Sequence, residues 1–290
     1  MSGVEPVYLA AGLIADAGLK ATALFAAGGV ASLLLRGGSA AQRHAVWAAT
    51  FAAIPLLVAL VAARGPLIAV EAPWLVAVWL IGALVASLPL VRGGMALRRL
   101  WRRARPVPHE RGLFTSDELP GPLTWGLLRP VIVLPSAATG WSAERREAAL
   151  AHERAHIVRR DWAVHIGVWL VCILFWFHPL AWLARRALVC EAEQAADDAA
   201  LALGVRPSAY AGLLVSLSSP AAHPGALGAG VSQVAVRVQA VLQDRSRSPR
   251  RGWVLTVALA LGAGLTATLG PLTVWSPTPP PLTCSPETMP

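Results

Sequence analysis

Four apolar runs limit what this chain of 290 residues can fold into. They lie at about residues 7–35, 44–63, 73–91 and 252–269, and each comes close to the roughly 20 helical residues that cross a hydrocarbon core of about 30 Å. A water-soluble domain has no interior large enough for all of them, since 56% of the residues are hydrophobic and only 14% are charged. The chain therefore reads as a polytopic, mainly α-helical membrane protein. Glu5 is the only charge ahead of the first run, so that run lacks the basic start of a cleaved leader and reads as a retained span. Within it, Asp16 and Lys20 sit at i,i+4 spacing and are expected to pair on one helical face.

The formal charge of +9 has its place in this topology. Arg36 and Arg43 flank the first short loop, six arginines from Arg92 to Arg105 follow the third run, and Arg245, Arg247, Arg250 and Arg251 precede the fourth. Basic residues collect on the cytoplasmic side of spans, which puts these three regions inside and both chain ends outside. The bilayer explains the basic balance, and no direct nucleic-acid partner is expected. The organisation follows: three spans in 1–91, a cytoplasmic domain in 92–251, a last span in 252–270 and a short extracytoplasmic proline-rich tail in 271–290. Cys172, Cys190 and Cys284 are too few and too scattered for a disulfide framework or a cysteine zinc site.

The cytoplasmic segment opens with "RGLFTSDELPGPLTWGLLRPVIVLP", short β-branched runs broken by proline and glycine that predict a small hairpin or sheet. Ser142 is a candidate N-cap for a helix over about 143–160. On that helix His152 and His156 fall one turn apart on one face, the spacing that lets two imidazoles meet one zinc ion, with Glu153 between them as general base. This is the H-E-x-x-H pattern of a metallopeptidase. A catalytic zinc has three protein ligands and an open position. Downstream, "CEAEQAADDAAL" supplies Glu191, Glu193, Asp197 and Asp198. Glu193 and Asp197 share a face, so one carboxylate can bind zinc while the other holds a histidine N–H.

For that to happen the apolar stretch between the two motifs must not cross the bilayer. A full crossing at 162–183 would leave Glu193 about 30 Å from the histidines. Pro179 in "FHPLAW" suits the first turn of a new helix. Arms over 162–177 and 180–193 would descend roughly 24 Å and return roughly 21 Å. A helical hairpin at 162–193, re-entrant or buried, brings Glu193 back. His165 and His178 inside it are expected to pack or hydrogen-bond, Cys190 is a second-choice ligand, and His44, His109 and His223 have no assigned role.

These motifs carry a family resemblance. The first run with Lys20, the loop leading to Arg43, His44 and Trp47, "PGPLTWGLLRPVIVLP", "HERAHIVRRDW", "FHPLAW" and "CEAEQAADDAAL" together resemble the BlaR/MecR-type antirepressor family of integral-membrane zinc metallopeptidases. The resemblance implies a zincin-like (gluzincin) protease domain facing the cytoplasm of a bacterial inner membrane. By it His152, His156 and Glu193 are Zn2+ ligands, Glu153 is the catalytic base, and Asp197 is a supporting residue or a further ligand. It also implies a polypeptide substrate, namely a BlaI/MecI-type transcriptional repressor or the chain itself, and a place in signal transduction. The large extracellular penicillin-binding domain of the family's antibiotic sensors has no counterpart in these residues. Rival expectations are a membrane quality-control metalloprotease and a zinc-binding signalling scaffold that does not hydrolyse.

Overall fold

The computed structural model describes residues 5–66, 72, 74–217, 229–243, 257 and 262. Three helices in it are long and apolar enough to cross a membrane: α1 (Glu5–Leu34), α2 (Ala40–Arg64) and α3 (Trp74–Arg103). The third runs past the expected end at 91 and carries the arginine cluster on its last turns. The Asp16–Lys20 pair forms, with Nζ 2.6 Å from Oδ2. Ser39 starts α2 with a capping box, accepting from the Gln42 N–H while the Gln42 side chain accepts from the Ser39 N–H. Of the expected last span at 252–270 only residues 257 and 262 are described, and the expected tail at 271–290 lies outside the described residues.

Past α3 comes a four-stranded sheet of β1 (Arg105–Pro106), β2 (Leu113–Ser116), β3 (Leu123–Trp125) and β4 (Val131–Pro135), in the order β1-β2-β4-β3. Strands β3 and β4 form the expected hairpin. The parallel pairing of β2 with β4 enlarges it into a sheet. Leu113, Ile132 and Leu134 pack on Leu150 of α4 (Ala143–Arg159). Ser142 caps α4 by accepting from the Arg145 N–H at 3.2 Å. On its other flank, Ala148, Ala149 and Ala151 meet Tyr210, Leu213 and Leu214 of α7 (Pro207–Leu217) and Val241 of α8 (Ala229–Leu242). Alanines on α4 let these helices approach closely, so α4 is held between sheet and helices.

Two helices fill the stretch between the motifs. α5 (Asp161–Leu174) leads away from α4, and α6 (Pro179–Ala202) runs back past it. With 14 residues, α5 is about 21 Å long. It stops at Leu174, three residues short of the expected end, because Phe175 (φ −109°, ψ 43°) leaves the helical region. Pro179 occupies the first turn of α6, where no N–H is needed. A helix end away from water must still satisfy its carbonyls, and here tryptophans do so. The Trp79 indole N–H of α3 donates to the Leu174 carbonyl at 2.9 Å, and the Trp182 indole donates to that of Trp176 at 2.9 Å. Gly82 of α3 leaves no room for a Cβ against the Trp176 ring. Thr22 of α1 meets His178 Nε2 at 3.0 Å, which gives that histidine a hydrogen-bonding role.

The largest buried cluster joins α1, α2, α5 and α6 through Ala17, Ala21, Leu24, Phe51, Ile54, Val171, Cys172, Ala181 and Leu188. Small residues at such crossings let helices pack without a large hydrophobic term between them. α3 behaves differently: Val78, Leu80, Ile81, Leu84 and Val85 are all exposed, as suits a surface against lipid.

Candidate metal centre

The site forms where α4 and α6 cross. His152 and His156, one turn apart on α4, point their Nε2 atoms at each other across 3.1 Å. The Glu193 carboxylate of α6 closes the triangle, with Oε2 3.6 Å from His152 Nε2 and Oε1 3.8 Å from His156 Nε2. All three ligand atoms lie within 4.8 Å of one another. Bonds of about 2.0–2.2 Å to a tetrahedral zinc separate neighbouring ligand atoms by roughly 3.3–3.6 Å, so the cluster fits such an ion with little movement.

The other side of each ring decides what the Nε2 atoms can do. His156 Nδ1 lies 2.6 Å from Asp161 Oδ2, and Arg159 donates to the same carboxylate at 2.6 and 3.3 Å. His152 Nδ1 faces the Tyr210 hydroxyl at 2.9 Å and Asp197 Oδ1 at 3.1 Å. Tyr210 donates to Asp197 at 2.9 Å, and Arg237 of α8 grips both Asp197 oxygens at 2.7 and 2.9 Å. With Nδ1–H engaged on each ring, both Nε2 lone pairs converge on one point, which is unfavourable unless a cation sits there.

The surroundings of His152 favour positive charge on its ring. Burial opposes charging His152, but the carboxylates of Asp197 and Glu193 outweigh it and raise the imidazole to about 9. Burial likewise works against the anions. Contact with His152 and the Arg237 guanidinium overcomes it, holding Glu193 and Asp197 below the usual carboxylate range. Asp161 is held low too, against its own burial, by His156 and Arg159. Burial and the neighbouring Asp197 push the Tyr210 phenol up, so it remains an O–H donor.

Glu153 is buried and accepts from the Thr124 hydroxyl at 2.6 Å, which ties it to strand β3. A cavity of about 500 Å³ opens beside these groups, walled by Pro122 to Thr124, Trp162, His165, Leu213, Leu217 and Val234. The structure thus brings together His152, Glu153, His156 and Glu193. Asp197 sits behind His152, its oxygens taken by Tyr210 and Arg237. Glu191 points elsewhere, to Arg43 Nε at 2.8 Å. Sequence reasoning missed Thr124, Asp161, Tyr210 and Arg237. Asp161 had a signal, being an acid five residues past His156 in "HIVRRD"; the other three had none.

With this geometry in hand, similarity to known proteins becomes informative. Residues 67–239, more than half of the chain, match the family model described as BlaR1 peptidase M56. The chain belongs to this family. The match takes in all of α3 to α7 and most of α8, and with them every residue of the cluster. Over 143 residues the chain is also 26% identical to the regulatory protein BlaR1 of Bacillus licheniformis, covering 43% of this chain and 24% of that protein. The matched part thus spans about a quarter of that relative's length. Membership in an M56 peptidase family agrees with a metal-dependent protease carrying apolar helices.

Proposed function

We propose that this M56 family member is a membrane-embedded zinc endopeptidase of gluzincin type acting in signal transduction. His152, His156 and Glu193 hold the ion in this reading, and Asp161 and Asp197 fix the rings from behind. The observation that carries it is the convergence of two Nε2 atoms 3.1 Å apart on the half-buried Glu193 carboxylate, with the buried carboxylate of Glu153 next to them. Zinc, when bound, supplies Lewis acidity toward a peptide carbonyl and makes a water easier to deprotonate. Glu153 takes that proton and passes it to the leaving amine. Thr124 holds the Glu153 carboxylate in place through its Oε2 atom.

Strand β3 supports a polypeptide as substrate. Among the described residues it pairs with β4 alone, and its residues Leu123 and Thr124 line the cavity. An extended peptide adds to such an edge by backbone hydrogen bonds. The arginines on the last turns of α3, together with Arg43 against Glu191, support a protease domain on the cytoplasmic face of a bacterial inner membrane. The three spans lie in 1–91, with α3 continuing to Arg103 into the domain at 92–251, and hairpin α5–α6 dips into the bilayer without crossing it. A BlaI/MecI-type repressor, or the chain itself, is the substrate we favour, on the likeness to a protein named as regulatory.

The test is variants of the intact protein in detergent or vesicles, assayed for bound zinc and for proteins that shorten on expression. Glu153→Gln should keep about one zinc per chain and lose cleavage by at least about 100-fold. His152→Ala and His156→Ala should lose both. Wild-type protein without zinc after metal-replete expression would end this reading, and full cleavage by Glu153→Gln would end the mechanism.

A further inference from the structure

The family match begins at residue 67, yet two neighbouring residues ahead of it reach the metal cluster from opposite flanks. Arg43 and His44 lie on the first turns of α2, where the loop from α1 enters it, and both are buried. Arg43 donates from Nε to Glu191 Oε1 at 2.8 Å and from Nη1 to the Gly38 and Arg36 carbonyls at 2.9 and 3.4 Å. Its side chain is 9% exposed and that of Glu191 15%. Glu191 sits two residues before Glu193 on α6. His44 places Nε2 3.7 Å from Asp161 Oδ1, on the carboxylate whose other oxygen holds His156 Nδ1. No described hydrogen-bond partner meets that Nε2, and the Asp161 carboxylate is the acid that faces it.

We propose that Arg43 and His44 are positioning residues of the metal centre, one through Glu191 and the helix carrying Glu193, the other through Asp161 and the ring of His156. The α1–α2 loop is then part of the peptidase site. An ion pair as sheltered as Arg43–Glu191 fixes the rotation and height of α6 where Glu193 leaves it, because a guanidinium tied also to two carbonyls cannot follow a shift of the helix. His44 limits Asp161 to the side that faces His156. A ligand held by such contacts loses affinity for its metal when they go, typically about 10–100-fold.

This inference rests on the metallopeptidase reading, and the experiment separates the two. Wild type, Arg43→Gln, Arg43→Lys, Arg43→Gln/Glu191→Gln and His44→Phe are purified full length and loaded with Co2+ and Zn2+. Metal affinity is read by chelator competition, site geometry by the visible Co2+ spectrum, and fold by thermal unfolding. Arg43→Gln and His44→Phe should weaken zinc by about 10-fold and alter the cobalt spectrum of the folded fraction. Arg43→Lys should recover part of the loss by keeping the charge against Glu191. The double variant leaves no lone buried charge, so it tests the contact even if Arg43→Gln fails to fold, and it should keep the altered spectrum. A merely structural role would lower the unfolding temperature with wild-type affinity and spectrum, and that result overturns the proposal. Loss of zinc from the wild type itself would instead overturn the metallopeptidase reading and this inference with it.

Discussion

The two histidines of the cluster have the same neighbour chemistry and reach it by opposite routes. His156 takes its carboxylate from Asp161, five residues on, across a sharp junction between α4 and α5 at which Arg160 adopts a left-handed backbone (φ 56°, ψ 37°). His152 takes its carboxylate from Asp197 on α6, which is braced by Tyr210 on α7 and Arg237 on α8. One support lies mainly in a local turn, with His44 of α2 beside its carboxylate; the other needs four helices packed correctly. A site built this way senses the state of its tertiary fold through His152 far more than through His156.

The largest difference between the halves should come from removing the carboxylates. Asp197→Ala leaves the mostly buried Arg237 guanidinium, whose side chain is 18% exposed, with the Glu193 carboxylate at 2.8 Å as its remaining charge partner, and should cost about 1–3 kcal/mol of stability together with most of the zinc. Asp161→Asn retains the shape of its side chain and leaves Arg159 with the Ala192 carbonyl at 2.9 Å, so a loss of roughly 10-fold in zinc affinity with little unfolding is expected. Calorimetry beside chelator competition reads both. Equal effects would mean that the His152 support is no more tertiary than the other.

A proton competes with the metal at His152. Because, against its burial, the carboxylates of Asp197 and Glu193 raise its imidazole to about 9, metal binding at neutral pH must displace that proton. Zinc affinity should therefore rise about tenfold per pH unit below about pH 9 and level off above it. Removing the carboxylate in Asp197→Asn lowers the proton's hold, so the rise should level off at lower pH. Titration with a competing chelator at several pH values measures this, and a flat profile in the wild type would contradict it.

The smallest effect belongs to the turn. Glycine adopts the left-handed conformation of Arg160 freely, whereas a β-branched residue does not. Arg160→Gly should unfold within about 1 kcal/mol of the wild type and bind zinc alike. Arg160→Val should lose roughly 1–2 kcal/mol and weaken the His156 side alone.

Much of this protein can be read from its residues because the signals are short in range. Spans 7–35 and 44–63 became α1 and α2 within a few residues, since hydropathy over a window of about 20 residues is a property of the local chain. Ser142 and the H-E-x-x-H spacing placed α4 and its metal-facing side, because capping and the 3.6-residue period act within one or two turns. Pro179 marked the start of α6. The end of α5 came three residues earlier than expected: Phe175 leaves the helical region, and the freed Leu174 carbonyl accepts from Trp79 of α3, a contact far away in sequence.

Sequence alone determined which residue types could bind a metal, at what spacing, and that the chain needs a bilayer. It determined these because each depends on neighbours within a turn or a window. Spacing alone left Glu191, Glu193 and Asp197 open, three acids within seven positions of one helix, with Glu193 favoured only by the family resemblance; which groups each one faces is a property of the tertiary structure. Helix α6 turns each of them toward a different set of partners: Glu191 toward Arg43, Glu193 toward the two Nε2 atoms and Arg237, and Asp197 toward His152 Nδ1, Tyr210 and the same Arg237. An acid's role follows from the charge it is buried against, and packing between distant helices sets that charge.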